Sequence, residues 1–286
     1  MDIRYLESLI AVVETGSIAG AARQQWLTAA AVSQRIQALE RELDCTLLSR
    51  SSHSAKPTEA CYNLLPRARK LVGDAQELKE GIDHTGLSGT LRIGSISTAL
   101  TSFLPSALKK LSKIAPKIKP YIKPGVSKFL YSELISENID AGIIIQPPFQ
   151  IPKTLVTQTL WEEPLILLSK GQVNRTVEEI VSSEPYICYD AESWGGRIAD
   201  GFIIENNLHP SHLCELDDLE AISLLVSNGM GVSLVPYWSG LELKQRQLKA
   251  TVISGEQYLR KIVLITHQQP LLPKKIEKLK MALLSK

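Results

Sequence analysis

Four residues in the stretch "TAAAVSQRIQALERELDC" share one side of a helical repeat: Ala30, Ser33, Gln34 and Gln37. All are small or amide-bearing, and none is charged. A solvated helix face normally carries Glu and Lys at such positions. A face that fits against base edges has other needs: small side chains permit close approach, and Gln hydrogen-bonds adenine in a bidentate way. Val32, Ile36, Leu39 and Leu43 cluster on the opposite side and must face a core. Arg35 lies on the flank, where a phosphate would be, and Thr28 is the N-cap candidate. Periodicity alone leaves a second account open, a small helical bundle with an ordinary polar face.

The next stretch, "TLLSRSSHSAKPTEA", has two short extended runs around a polar turn, which suggests a small hairpin, or wing. Arg50 and Lys56 flank it and are within reach of phosphates or the minor groove. The alternative is a solvent loop. Residues 1–57 hold six basic residues (Arg4, Arg23, Arg35, Arg41, Arg50, Lys56) against six acids (Asp2, Glu7, Glu14, Glu40, Glu42, Asp44). The electrostatic footprint of a DNA binder is therefore weak here.

A second set of residues suits a small ligand. In open α/β sheets, ligands lie beyond the carboxyl ends of strands, near helix N-termini. "LRIG" is followed by Ser95, Ser97 and Thr98, and Ser127 follows Gly125 ahead of "KFLYSELI". These hydroxyls and the first free amides favour a carboxylate or another anion. Gln146 ends the run "AGIII", Trp194 offers an apolar wall, and Arg197 offers a counter-charge. The plainer account is that the hydroxyls cap helices and Arg197 is a surface charge.

Other constellations are weaker. His209, His212 and Cys214 are metal-capable, but their spacing matches no zinc pattern, so no metal site and no cofactor is expected. Residues 109–128 hold seven lysines and no acid, which suits DNA, an anionic effector, or a solvated helix followed by an edge strand. The chain contains no GxxxxGK[ST], G-x-S-x-G or H-E-x-x-H pattern, so an enzyme is not expected.

The elements that must position these residues are readable. Ile3, Leu6, Leu9, Ile10 and Val13 make an amphipathic helix closed by Gly16, and Ser17 caps a short helix, "IAGAARQQ". Short helix, tight turn and second helix spell helix-turn-helix. From Cys61 through Leu65, Ala68, Val72, Ala75, Leu78 to Ile82 the apolar spacing is close to a 3.5 repeat, which predicts a helix pairing with another helix. Pro66 predicts a kink or break within it. From residue 90, short apolar runs ("TLRIGSI", "AGIII", "PLILLS", "YICYD", "GVSLVP", "KIVLIT") alternate with helical segments, as in parallel sheets buried on both faces. Thr176 with Glu179, and Asp217 with Glu220, read as helix starts. Nearly 200 residues of α/β suggest two lobes with a cleft.

With 286 residues, 44% of them hydrophobic, and a net charge of +2, the chain has material for several cores and no blanket attraction to nucleic acid or membrane. No apolar run of about 18 residues predicts a membrane span. The opening "MDIRYLESLIAVV" disfavours a signal peptide, and four scattered cysteines suit a reducing cytoplasm.

Taken together the chain resembles the LysR-type transcriptional regulators. The resemblance rests on "ETGSIAGAARQQWLTAAAVSQRIQALERELDCTLLSR" with "PTEA", then "LRIGSIST", "GVSKFLYSELISENIDAGII", "EPLILL" and "LDDLEAISLLVSNGMGVSLVP". It implies a winged helix-turn-helix over 1–58, a dimerisation linker helix and hinge over 59–87, and a two-lobed α/β effector domain like a periplasmic binding protein. Lobe I would span 88–161 and 267–286, and lobe II 162–266. The family often has Gln-Pro where Ala29 and Ala30 stand, Arg at Gln34, and Gly at Cys61. The function expected is a cytoplasmic regulator that binds double-stranded DNA and a small effector, as a homodimer or dimer of dimers. Thr28, Ala30, Ser33, Gln34, Arg35, Gln37, Arg50 and Lys56 would meet DNA. The rival is a solute-binding sensor with a helical dimerisation module and no DNA role.

Overall fold

A computed structural model describes the chain except residues 52, 53, 81–84, 172–174, 245, 285 and 286, and the side chains of 50, 51, 54, 76, 77, 79 and 80. It divides into two units, Met1–His84 and Thr85–Lys286.

The first unit runs α1 (Ile3–Thr15), α2 (Ile18–Gln24), α3 (Ala29–Leu43), β1 (Leu48–Ser51), β2 (Ser54–Pro57) and α4 (Glu59–Glu80). The caps are those the sequence predicts. Gly16 closes α1 at φ 69°, the Ser17 hydroxyl accepts from the Gly20 amide, and that of Thr28 accepts from the Ala31 amide at 3.2 Å. Leu6, Leu9, Val12, Ala21, Val32, Ile36 and Leu39 form the core. Leu43 does not join them; it is exposed, because α3 ends beside it at Asp44 in the left-handed conformation. The antiparallel hairpin pairs Ser49 with Lys56 and Arg50 with Ala55.

Of the kink or break expected at Pro66, the break does not occur: the helix continues through the proline. Cys61, Leu65 and Ala68 are buried in the core of the unit on both sides of the proline, which holds the flanking turns in place. The same burial removes Leu65 from any stripe available to a second chain. Further along, Val72 is half-buried against the same core, and Leu78 is exposed. Ile82 lies outside the described residues.

The second unit begins with β3 (Gly89–Ser95), α5 (Ser97–Thr101), α6 (Leu104–Ile114), β4 (Ile118–Pro124), α7 (Ser127–Ile135) and β5 (Ala141–Ile145). There follow β6 (Leu155–Lys170), α8 (Val177–Ser183), β7 (Pro185–Tyr189), α9 (Gly196–Glu205), β8 (Ser211–Leu216), α10 (Leu219–Ser227), β9 (Ser233–Pro236), β10 (Leu248–Val252), β11 (Leu259–His267) and α11 (Pro273–Leu284). The main sheet has the order β10-β6-β11-β5-β3-β4, with β9 also on β6, and β7 and β8 pair separately. The expected parallel sheets are in fact mixed. β3 is parallel to β4 and β5, and β7 to β8, but β11 is antiparallel to β5 and β6, and β6 to β9 and β10. The long strands β6 and β11 carry the chain between lobes in opposite directions, which makes their own pairing antiparallel.

One lobe has a core of Leu91, Ile93, Leu104, Leu130, Ile143 and Ile276. In the other, β6 is buried on both faces: Leu165 and Leu167 enter one cluster with Tyr186 and Leu234, and Ile166 and Leu168 another with Ile187 and Val235. That two-sided burial accounts for the unbroken run "PLILLS". Thr176 and Glu179 form the expected capping box of α8. The cap of α10 is Asp218, not Asp217: its carboxylate accepts from the Ala221 amide at 2.9 Å. Asp217 is thereby left facing another site. Among the described residues no helix is long and apolar enough to cross a membrane.

Candidate recognition face and effector cavity

In the first unit, α3 presents Ala29, Ala30, Gln34 and Gln37 exposed and Ser33 half-buried, directly after the Thr28 cap. The helix is fixed from behind by hydrogen bonds as well as by packing. Arg35 Nη1 donates to Ser8 Oγ of α1 at 3.2 Å, and Ser8 Oγ donates to Gln25 Oε1 at 2.8 Å. Ser8 is fully buried, so this chain of bonds ties α1, the end of α2 and α3 together. Arg35 is thus an anchor of the recognition helix, a role its flank position did not suggest. Glu40 anchors the hairpin: its Oε1 accepts from the amides of Leu47 and Leu48 at 2.8 and 3.1 Å. Lys56 is exposed on β2. Arg50 lies on β1, with its side chain outside the described residues.

In the second unit a cavity of about 190 Å³ opens between the lobes. Ser97, Thr98, Ser127 and Lys128 line it from one lobe, and Tyr189, Asp190, Ser193, Trp194 and Asp217 from the other. The first wall comes from the residues after β3 and after β4, where the chain turns from strand to helix. The second comes from the ends of β7 and β8. Gly195 and Gly196 have a specific use here. A Cβ on Gly196 would collide with the carbonyl of Asp190, and one on Gly195 with the Tyr189 hydroxyl. The glycine pair lets the start of α9 close tightly on the loop that carries Asp190.

Across the base of the cavity lies Arg260, 2% exposed, from β11. Its Nε donates to Glu163 Oε2 at 2.7 Å and its Nη2 to Thr98 Oγ1 at 3.2 Å; Nη2 also pairs with Glu163. Burial raises the Glu163 carboxyl above its ordinary range, against the pull of Arg260. Burial likewise raises the Tyr189 phenol. Asp217 is held above the ordinary carboxylate range, first by desolvation and then by Asp190 beside it. Lys128, Asp190, Glu192 and Asp217 line the same cavity, and among the described residues none of these three carboxylates has an ion-pair partner.

Of the residues the sequence suggests for a ligand, Ser97, Thr98, Ser127 and Trp194 line this cavity together. Ser127 also accepts from the Ile145 amide at 3.1 Å, so it ties α7 to β5. Ser95 does not line the cavity: it is fully buried and donates to the Ile96 carbonyl. The alternation of β3 turns it inward, which sequence position alone could not reveal. Gln146 and Arg197 line a neighbouring groove with Gly201, Glu205 and Tyr258. Arg260, Tyr189, Asp190 and Asp217 were missed. Among the described residues no three metal-capable side chains gather, and His212 stacks edge-on against Tyr186.

A helix-turn-helix unit with a hairpin wing, joined in one chain to a two-lobed α/β unit with a ligand-sized cavity, defines a ligand-responsive DNA-binding regulator. Comparison with known proteins agrees. The family model for the bacterial regulatory helix-turn-helix protein, lysR family, matches residues 3–62, and that for the LysR substrate binding domain matches residues 84–286. The HTH-type transcriptional regulator AlsR of Bacillus subtilis is 30% identical over 246 residues, covering 82% of this chain and 80% of AlsR. ClcR of Pseudomonas putida is 27% identical over 246 residues, covering 82% of this chain and 83% of ClcR. The fold matches that of full-length CbnR complexed with its target DNA at a TM-score of 0.72 and 19% identity, over 99% of this chain and all (100%) of CbnR. The chain belongs to the LysR family of transcriptional regulators.

Proposed function

We propose that this regulator reads its operator with Ala30, Ser33, Gln34 and Gln37 of α3 in the major groove, with Lys56 and Arg50 of the hairpin on phosphates. The exposed, uncharged face of α3 carries this reading. Two such units on a homodimer would meet successive major grooves of a near-palindromic site. Leu71 and Leu78, exposed on one side of α4, support pairing through that helix, and pairs of dimers would follow by family likeness. A regulator of this bacterial type that acts on DNA would act in the cytoplasm. The test is selection from a random pool of duplexes by the full-length chain. An enriched, near-palindromic duplex is expected; a pool that stays random contradicts the reading.

The effector reading is a small dipolar molecule, its carboxylate toward Ser97, Thr98, Ser127 and Lys128 and its cationic group toward Asp190 and Asp217. The opposition of the two walls supports it, as does the pairing of Arg260 with Glu163, which leaves that guanidinium already neutralised. A cavity of about 190 Å³ suits a small metabolite, since drug-sized pockets run to roughly 300–1,000 Å³. The calorimetric test compares α-amino acids with the same acids lacking the amino group. The amino acids bind and the deaminated acids do not; equal binding by both contradicts the cationic subsite. Ser97→Ala, at an exposed position, should weaken binding while barely moving the melting temperature, whereas Thr98→Val also takes an acceptor from the buried Arg260 and should lower the melting temperature as well.

A further inference from the structure

Trp26, in the turn between α2 and α3, combines two costs. Its backbone is left-handed, at φ 57°. Its side chain is 94% exposed, the highest value among the described exposed large hydrophobics. The turn itself is a Schellman closure of α2. The Trp26 amide donates to the Arg23 carbonyl at 3.3 Å and the Leu27 amide to the Ala22 carbonyl at 2.9 Å, and Leu27 packs on the core. Trp26 therefore stands at the position where glycine is usual, because a Cβ there meets the neighbouring carbonyl. Glycine or asparagine would make the same turn with less strain. The indole repays nothing within this unit, since it covers no core.

The turn delivers the chain straight into the recognition face. Thr28, the cap of α3, is two residues on, and the exposed Ala29 and Ala30 follow. The edge of a major groove offers deoxyribose faces and phosphate oxygens, which take most protein–DNA hydrogen bonds. An indole matches both, with an apolar face and a single N–H donor.

We propose that Trp26 is a DNA-backbone contact, its ring against a deoxyribose at the groove edge and its Nε1–H donating to a phosphate oxygen. The proposal rests on the reading of α3 as the helix in the major groove. It differs from the base-reading roles in one respect: the contact carries no sequence information, so its loss weakens the selected duplex and a scrambled one alike.

The experiment uses the full-length chain and the duplex it selects from a random pool. Trp26→Gly removes the ring and relieves the backbone. The melting temperature should hold or rise while affinity for both duplexes falls about tenfold, a loss of roughly 1.4 kcal/mol. Trp26→Phe keeps the ring face without the donor and should fall between. A second measurement reads the ring itself rather than the affinity. The difference in acrylamide quenching between the wild-type chain and Trp26→Phe reports on Trp26 alone, and saturating duplex should shield it. Unchanged affinity of Trp26→Gly for both duplexes overturns the contact, as does a Trp26 equally quenchable with and without DNA. A Trp26 already shielded before DNA is added belongs to a protein interface and also overturns it. If the wild-type chain selects no duplex at all, the reading of α3 fails and this contact with it; a selected duplex that Trp26→Gly binds normally removes the contact alone.

Discussion

The pair Arg260–Glu163 shows what single residues contribute that a sequence conceals. Thr98 and Arg260 are 162 positions apart, and nothing in the local pattern of β11 marks Arg260 as the base of a cavity. Ser97, Thr98, Ser127 and Trp194 were legible because a loop after a strand has a position rule. Arg260 was not, because it sits inside a strand and reaches the cavity only through the crossing of β6 and β11. With both side chains buried, Glu163→Gln leaves an unneutralised guanidinium in the interior. A loss of about 3–5 kcal/mol in denaturant unfolding of the second unit is expected. A loss under about 1 kcal/mol would mean that water reaches the pair. Asp217 supplies a pH signature. Its carboxyl holds its proton to a higher pH than an ordinary one, and a cationic ligand group binds only the ionised form. Affinity for a dipolar effector should therefore rise as pH increases through the Asp217 pKa, with protons released on binding. Calorimetry in buffers of different ionisation enthalpy checks the sign, and proton uptake would contradict it.

Among the elements, the helices of the first unit were legible almost to their caps, because Gly16, Ser17 and Thr28 each have a local reason to sit at a helix end. The course of α4 was not. A repeat near 3.5 says that apolar residues share a stripe, and it does not say which neighbour covers each one. Cys61, Leu65 and Ala68 are covered by the chain's own core, while Leu78 is left 77% exposed. The two halves of the stripe should thus respond differently. Leu65→Ala should cost about 2–5 kcal/mol of stability. Leu78→Glu should leave unfolding nearly unchanged and weaken self-association, as read by sedimentation. A Leu78→Glu chain that sediments as the wild type places the interface elsewhere. The antiparallel strands were misread because burial on both faces gives the same unbroken apolar run in either direction. "PLILLS" and "KIVLIT" carry no mark of direction, which is set by how the chain returns to each strand.

At the scale of the whole molecule, effector binding and DNA binding are linked only if the effector prefers one arrangement of the chain over another. A ligand indifferent to both shifts nothing, however tightly it binds. Affinity for the selected duplex, measured with and without an α-amino acid that binds the cavity, gives that preference directly as a coupling factor. The near balance of charge over residues 1–57, weak evidence for DNA in the sequence, has a consequence here. With few cations to hold phosphates, discrimination must depend on the uncharged face of α3. The measurement that tests this most directly is a titration of the wild-type chain, Gln34→Ala and Lys56→Ala on the selected and a scrambled duplex at several salt concentrations. Gln34→Ala should lose about 1–3 kcal/mol on the selected duplex and almost nothing on the scrambled one. Lys56→Ala should weaken both and lower the salt slope by about 1. Equal losses on both duplexes for Gln34→Ala would contradict base reading by α3.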